Sequence, residues 1–272
     1  MGDMPDATHL LLPLLIGASL GFLGGVFGIG GGVIAVPLLV LGFGLEQPLA
    51  QGTALVLMAP NLLMAWWRYQ QQHPMKWQAM AAIAVPATLT TWGVARLATQ
   101  MDPQVLRWAF SGFMALLALR LIGTATRATP PSERPLNLRV LPLVGMVGGS
   151  SMGLLGIGGG LMAGPLLSGW MGQRQATAQG LSLALVAPSS VMALATYAQA
   201  HRVDWSLGLP MALGGVLTVS AGVALAHRLP EKPMRLSFAA ILVMTAAWLI
   251  VGSRSTTDAP PGTPTATPTP TV

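Results

Sequence analysis

Apolar residues fill long uninterrupted stretches of this chain, and polar residues collect in the short segments between them. There are two successive sets of five stretches. They lie at 10–27, 32–45, 49–67, 77–97 and 103–123 in the first set, and at 139–155, 160–172, 178–199, 205–226 and 234–252 in the second. Each is predicted to be a helix, because a backbone inside hydrocarbon must satisfy its amides within its own segment. The pattern predicts an all-α polytopic membrane protein.

The composition favours the same class of protein. Of the 272 residues, 53% are hydrophobic and 8% are charged, whereas a soluble domain carries about 25% charged residues. So few charges cannot cover a water-facing surface, which excludes an ordinary soluble globule and a disordered protein. The absence of cysteine excludes disulfides, iron–sulfur clusters and thiolate zinc sites.

The two sets of stretches are copies of one unit. Residues 25–39 read GVFGIGGGVIAVPLL, and residues 153–167 read GLLGIGGGLMAGPLL. The offset continues without a gap, so that 25 of the 53 positions in 25–77 are identical to those in 153–205. Shared apolar composition does not explain the polar and aromatic identities. These pair Tyr69 with Tyr197, Gln71 with Gln199, His73 with His201, and Trp77 with Trp205.

The repeat sets the predicted domain organisation. We expect a first transmembrane repeat at 1–123, a polar linker at 124–138 and a second transmembrane repeat at 139–252. The remaining residues, 253–272, are rich in Thr and Pro and have no apolar face to bury. They are predicted to form a disordered tail.

The distribution of basic residues predicts how the two repeats are oriented. Five crossings per repeat would turn the second repeat upside down and place ten Lys and Arg residues on one face and four on the other. Four crossings per repeat would give six and eight. The positive-inside rule prefers the larger asymmetry. It predicts inverted repeats with the 124–138 linker in the cytoplasm, an arrangement typical of secondary transporters.

Glycine-rich runs interrupt the predicted helices early in each repeat. Residues 28–32 and 156–160 both read GIGGG, and each Gly would weaken a helix interior by about 1 kcal/mol relative to Ala. The apolar segments that follow are short for a hydrocarbon core of about 30 Å. We predict a Gly-rich broken or re-entrant hairpin in each repeat, with close helix packing as the alternative role of these glycines.

A helix N-terminus directly after such a turn can bind an anion. Its first amides lack an intrahelical acceptor and carry the positive end of the helix dipole. In inverted repeats the two turns can meet near the midplane, and the third segment of each repeat adds side-chain donors. The predicted substrate-binding residues are Gly28, Gly30, Gly31, Gly32, Gln51, Gly52 and Asn61 in the first repeat, and Gly156, Gly158, Gly159, Gly160, Gln179, Gly180 and Ser189 in the second.

The sequence indicates no enzyme chemistry. Acidic residues stand at segment ends, as Glu46, Asp102, Asp204 and Glu231 do, which argues against a buried carboxylate relay. No Ser-His-Asp, HExxH or nucleotide-loop pattern is present. We therefore expect no catalytic residue, no metal and no cofactor. We also expect no nucleic-acid partner, because basic cytoplasmic loops explain the net charge of +6.

The doubled GxxGIGGGxxxxPLL run, followed by a Gln-Gly helix with an internal Pro, resembles the sulfite exporter TauE/SafE family of membrane permeases. The resemblance covers residues 10–252. It implies an integral membrane permease without a cofactor, for sulfite, sulfonates or related small sulfur-containing anions. The family motif falls on 28–32 with Pro37 and on 156–160 with Pro165. The halves are not chemically equal, since Leu181 and Ser189 replace Thr53 and Asn61.

These inferences lead to a functional hypothesis. The chain is expected to be a multi-pass secondary transporter, an exporter of sulfite or organosulfonates across the bacterial inner membrane, with the lipid bilayer and a small anion as its partners. One alternative is a passive anion channel or a permease for another small anion. Another, from a different class, is a membrane anchor or assembly partner that transports nothing.

Overall fold

The computed structural model describes residues 7–27, 31–125, 136–157, 159–226, 237 and 240–245. The described part of the chain contains helices and no strand. The helices are α1 Ala7–Phe27, α2 Gly32–Gly42, α3 Gln47–Gln72, α4 Trp77–Ala98, α5 Pro103–Ala125, α6 Leu141–Leu155, α7 Gly159–Pro165, α8 Gln175–Gln199 and α9 Trp205–Ala226. A π-helical turn, Leu166–Trp170, follows α7. The all-α prediction is confirmed.

The helix boundaries follow from local chemistry. Proline occupies the first turn of α3 and of α6, where its missing N–H costs nothing. The Asp204 carboxylate accepts hydrogen bonds from the amides of Ser206 and Leu207 at 2.9 and 3.2 Å, and so caps α9. Asp102 accepts from the Gln104 amide at the start of α5. Asp102 and Asp204, two of the acidic residues at segment ends, therefore cap the starts of helices.

Four of the described helices are long and apolar enough to cross a membrane by length and composition. They are the stretches Gln47–Gln72, Trp77–Ala98, Ala176–Gln199 and Trp205–Gly222. Three further apolar helices are shorter: Leu10–Val26, Gly32–Gly42 and Leu141–Leu155. With 11 residues, α2 is only about 16 Å long. These helices have the properties expected of an integral membrane protein. The predicted tenth segment, 234–252, lies mostly outside the described residues, as do most of the linker and the whole tail.

Helix α1 packs against α9, which comes from the other repeat. Gly17 lies against the backbone of Met211, and Gly21 lies against the backbone of Gly215. A Cβ at either glycine would overlap the opposing main chain. The contacts advance along both helices together, so α1 and α9 run parallel. Small residues thus bring two backbones into direct contact, as they do in many membrane helix pairs.

The same contact recurs between α6 and α4 at the repeat-equivalent positions. Gly145 lies against Ile83, and Gly149 lies against Ala87. The Thr91 hydroxyl donates to the Gly149 carbonyl at 3.0 Å, which adds a hydrogen bond between the two helices. The first helix of each repeat therefore packs on the fourth helix of the other repeat, and the two halves of the chain are interlocked.

Helices α3 and α8 form the interior of the bundle. In α3, 67% of the membrane-length stretch is buried, and in α8 the fraction is 61%, against 28% in α4 and 33% in α9. The Tyr197 hydroxyl of α8 contacts Gln51 near the start of α3, and the Tyr69 hydroxyl near the end of α3 contacts Ala176 at the start of α8. The two helices are therefore antiparallel. Pro60 and Pro188 lie near the middle of each helix.

Replacing Gly149 by Ala should destabilise the protein although Ala is the better helix former. The new Cβ would overlap the Ala87 carbonyl and the Thr90 hydroxyl, and overpacking typically costs about 1–3 kcal/mol. At Gly93 a Cβ would meet nothing within 4 Å, so Gly93→Ala should hold or raise stability. Thermal unfolding in detergent compares the stabilities of the two variants. Equal unfolding temperatures would mean that the α4–α6 contact does not constrain the fold.

Candidate functional site

The first glycine run separates α1 from α2. Gly31 has φ +80°, a left-handed conformation that favours glycine, and directly precedes α2. A Cβ at Gly31 would lie 2.8 Å from the Leu20 carbonyl oxygen. Gly32 is the first residue of α2, whereas Gly28 and Gly30 lie outside the described residues.

The second glycine run separates α6 from α7 in a similar way. Gly156 has φ +66° and caps the C-terminus of α6, where its amide donates to the Met152 carbonyl at 3.0 Å. Gly159 packs against the Gly148 carbonyl, and Gly160 packs against Val186. Gly158 lies outside the described residues. Both runs therefore interrupt their helices where the sequence predicts a break.

The two glycine runs come together in space although they are far apart in the chain. A Cβ at Gly32 would lie 2.7 Å from Cγ2 of Ile157, which is itself fully buried. A Cβ at Gly156 would lie 3.1 Å from Cβ of Gln51. The start of α2, the turn after α6 and the first part of α3 thus meet at one point. We call the group Gly32, Gln51, Gly156 and Ile157 the glycine junction.

Gln51 is the polar side chain at the glycine junction. It is 0% exposed, and its Oε1 accepts a hydrogen bond of 2.9 Å from the Tyr197 hydroxyl. The same hydroxyl lies 3.2 Å from the Gly153 carbonyl oxygen. The Nε2 of Gln51 has no hydrogen-bond partner among the described residues. A buried amide donor without an acceptor is costly to a fold, which is why it suggests a ligand or water.

Asn61 and Ser189 occupy equivalent positions beside the central prolines of α3 and α8. Asn61 is 5% exposed, and neither its Oδ1 nor its Nδ2 finds a partner in the described part of the chain. Its Nδ2 lies 3.5 Å from the Cβ position of Gly215 in α9. Ser189 is fully buried, and its hydroxyl likewise lacks a described partner. Unpaired polar groups therefore line the middle of both central helices.

Gly52, Gly180 and Gln179 make contacts other than those of the glycine junction. Gly52 packs against the Arg202 carbonyl, and Gly180 packs against the side chains of Met75 and Tyr69. Gln179 is exposed, unlike its counterpart Gln51. The two repeats thus present different surroundings at equivalent positions.

Neutral groups alone make up the glycine junction. Charged residues stand further out, where Arg202 and Glu46 form a 3.0 Å ion pair with side chains 37% and 61% exposed. Within the described ranges there is no group of three or more His, Asp or Glu residues that could hold a metal ion. The junction can therefore present amide donors, and no carboxylate, to a small ligand.

Comparison with known proteins decides the family. The sequence model of the family described as sulfite exporter TauE/SafE matches residues 13–249, nearly the whole chain. The chain belongs to the sulfite exporter TauE/SafE family. The family match also agrees with the membrane-length apolar helices, so the protein is a membrane transporter.

Several relatives of this TauE/SafE protein are described as probable membrane transporter proteins. A probable membrane transporter protein from Xylella fastidiosa is 27% identical over 87% of this chain and 91% of its own length. Another from Methanocaldococcus jannaschii is 26% identical over 89% of this chain and 96% of its own length. A third, from Bacillus subtilis, is 24% identical over 87% and 98%. No solved structure matches the chain significantly.

Sequence reasoning missed two residues of this TauE/SafE protein that the structure places near the junction. Tyr197, which holds Gln51, is conspicuous only as one of the polar identities between the repeats. Gln47 precedes Gln51 by one helical turn, is 2% exposed and leaves both amide atoms unpaired among the described residues. The sequence contains one signal for Gln47, which is its identity with Gln175, the equivalent residue of the second repeat.

Asn61→Leu should stabilise the protein, because it removes two buried polar atoms that lack described partners. Thr91→Val should destabilise it by about 1 kcal/mol, since the Thr91 hydroxyl bonds the Gly149 carbonyl. Thermal unfolding in detergent measures whether each variant is more or less stable than the unchanged protein. A lower unfolding temperature for Asn61→Leu would show that the Asn61 amide is satisfied within the protein and is not held open for a ligand.

Proposed function

We propose that this protein is a multi-pass secondary transporter that exports sulfite, organosulfonates or related small sulfur-containing anions across the bacterial inner membrane. Membership of the TauE/SafE family supports the class of cargo. The buried donor at the glycine junction supports an anion as the ligand. The protein acts by binding and release and has no catalytic chemistry.

Inverted repeats are part of this proposal. The antiparallel contact of α3 with α8 is what inverted copies of one helix would make. The parallel contacts of α1 with α9 and of α6 with α4 also fit five crossings per repeat. In that topology the glycine runs enter from opposite faces as re-entrant or broken hairpins, and the substrate site lies between the repeats.

The free Nε2 of Gln51 is the single observation that carries the anion site. A carboxamide N–H donates to an oxyanion without bringing a permanent charge into the membrane. The first amides of α2 begin at Gly32, on the other side of the junction, and add the positive end of a helix dipole. In a site of low dielectric these neutral donors act more strongly than they would in water.

Neutral donors also suit release. A buried Arg or Lys would hold an anion through a charge-assisted pair, which is stronger and slower to break. Amide donors offer weaker bonds that the anion can exchange for water at either face. Asn61 and Ser189, further along α3 and α8, can take over such bonds as the anion moves between the repeats.

Gln51→Met tests the site with little change in volume. The purified protein in proteoliposomes should take up labelled sulfite saturably, with organosulfonates as competitors. Gln51→Met should lower sulfite affinity about tenfold or more, because a hydrogen bond to a charged group contributes roughly 1.5–3 kcal/mol. Gln100→Met, which changes an exposed glutamine outside the junction, is the matched control.

The outcomes separate the alternatives. Unchanged affinity in Gln51→Met would remove Gln51 from the site. Flux that rises linearly with sulfite and shows no competition would favour a passive channel. Well-folded protein without flux of any sulfur-containing anion would favour another cargo or a membrane anchor.

A further inference from the structure

The two ends of the α3–α8 pair are equivalent in sequence but differ in structure. We call one the Glu46 end, where α3 begins and α8 finishes, and the other the Lys76 end, where α3 finishes and α8 begins. The repeat offset maps each residue of one end onto a residue of the other. Any structural difference between the ends therefore reports a conformational asymmetry, a sequence difference, or both.

The Glu46 end is closed by direct contacts between the repeats. Tyr197 donates to Gln51 at 2.9 Å from a fully buried position. The Asp204 amide donates to the Thr53 hydroxyl at 3.0 Å. Gly52 lies so close to the Arg202 carbonyl that no side chain fits between them. Together with the ion pair between Glu46 and Arg202, these contacts hold the end of α8 and its following loop on α3.

The Lys76 end lacks these contacts at the equivalent residues. Tyr69, the counterpart of Tyr197, donates to the Ala176 carbonyl at 2.7 Å instead of to a glutamine. Gln179, the counterpart of Gln51, is exposed. A cavity of ≈ 320 Å³ opens here. Its lining includes Met75, Lys76, Thr177 and Leu181.

Lys76 and Leu181, which line this cavity, are the counterparts of Asp204 and Thr53. The same pair of positions is in contact at the Glu46 end, where Asp204 donates to Thr53. These two positions are thus in contact at the Glu46 end and line a cavity at the Lys76 end.

We infer that Tyr197 and Tyr69 are alternating positioning residues for the anion site, so that each closes its own end in one access state. In the present state Tyr197 holds Gln51 and leaves the Gln51 Nε2 free for the anion. In the opposite state Tyr69 leaves the Ala176 carbonyl, bonds Gln179 and closes the Lys76 end. This inference rests on the proposed inverted-repeat transporter and names the residues that govern its two states.

Sequence differences between the two ends favour one of these two access states over the other. Arg174 and Pro74 stand at the positions equivalent to Glu46 and Arg202, so that ion pair has no counterpart at the Lys76 end. A hydroxyl–amide bond like that of Thr53 with Asp204 is also impossible for Leu181. These two contacts, which the equivalent residues cannot form with each other, favour the state closed at the Glu46 end as the resting state. By the charge distribution, this state is open towards the cytoplasm.

Cysteine accessibility tests the inference, since the chain contains no native cysteine. Leu49→Cys reports on the Glu46 end, and its counterpart Thr177→Cys reports on the cavity at the Lys76 end. Each single-cysteine protein is purified, placed in lipid nanodiscs and labelled with a charged maleimide. The readout is the ratio of the labelling rate of Leu49→Cys to that of Thr177→Cys. It is measured in the otherwise unchanged protein and again in each variant described below.

Tyr197→Phe should raise this ratio by a factor of about 2 to 10, as expected for the loss of one buried hydrogen bond. Tyr69→Phe, the matched control, should not raise it. Sulfite affinity should fall in Tyr197→Phe, because Gln51 is no longer held in place. An unchanged ratio in folded Tyr197→Phe, or an equal rise in Tyr69→Phe, would overturn the inference.

A second pair of variants serves if Tyr197→Phe does not fold. Gly52→Ala should also raise the ratio, because its Cβ overlaps the Arg202 carbonyl and forces the Glu46 end apart. At Gly180 the atoms nearest to a new Cβ belong to the side chains of Met75 and Tyr69 and not to the backbone, so Gly180→Ala should not raise the ratio. A Gly52→Ala ratio equal to that of Gly180→Ala would also contradict the inference.

Labelling needs no cargo, so the two proposals can fail separately. A shifted ratio without sulfite flux would retain the alternating tyrosines and reject sulfite as the cargo. Saturable sulfite flux with an unshifted ratio would retain the transporter and reject the tyrosines as positioning residues.

Discussion

Glycines bring the backbones of helices from different repeats into direct contact, and the positions of the other helices depend on this contact. Gly21 against Gly215 and Gly149 against Ala87 leave no room for a side chain. Because each repeat gives its first helix to the other repeat's fourth, neither half can pack its helices alone. Helices α3 and α8 lie antiparallel in the interior.

This arrangement allows irregular backbone within an apolar bundle. Unpaired amides are tolerated at membrane depth only where protein or water shields them from lipid. The start of α2 and the turn after α6 meet beside α3, where Ile157 and Gln51 are fully buried. The same enclosure keeps the Gln51 Nε2 and the Asn61 carboxamide away from bulk water without giving them described partners. A neutral anion site needs such unpaired donors, and burying them lowers the stability of the folded protein.

Hydrophobic patterning was sufficient to predict most of the secondary structure. The segment predicted at 205–226 coincides with α9, and the one at 77–97 with α4 to within a residue. The GIGGG runs marked the breaks, because consecutive glycines are poor helix formers and two of them adopt left-handed conformations here. Gly28, Gly30 and Gly158 lie outside the described residues, so their proposed roles stay predictions.

The sequence could not indicate which helices exchange partners or which glutamine is buried. Apolar faces identify what a helix buries, but they do not identify the helix that covers it. Gln51 and Gln179 have matching neighbours in sequence, so local chemistry alone gives no reason for one to bond Tyr197 and the other to be exposed. Non-equivalent residues near the two glutamines, such as Thr53 and Leu181, distinguish their surroundings.

Countertransport of labelled sulfite shows whether this protein is an anion carrier. Proteoliposomes loaded with unlabelled sulfite would be diluted into labelled sulfite, with protein-free liposomes as the control. A carrier should accumulate label transiently above its equilibrium level, because one site must face each side in turn. Label that only equilibrates would indicate a channel, and no uptake beyond protein-free liposomes would contradict sulfite transport.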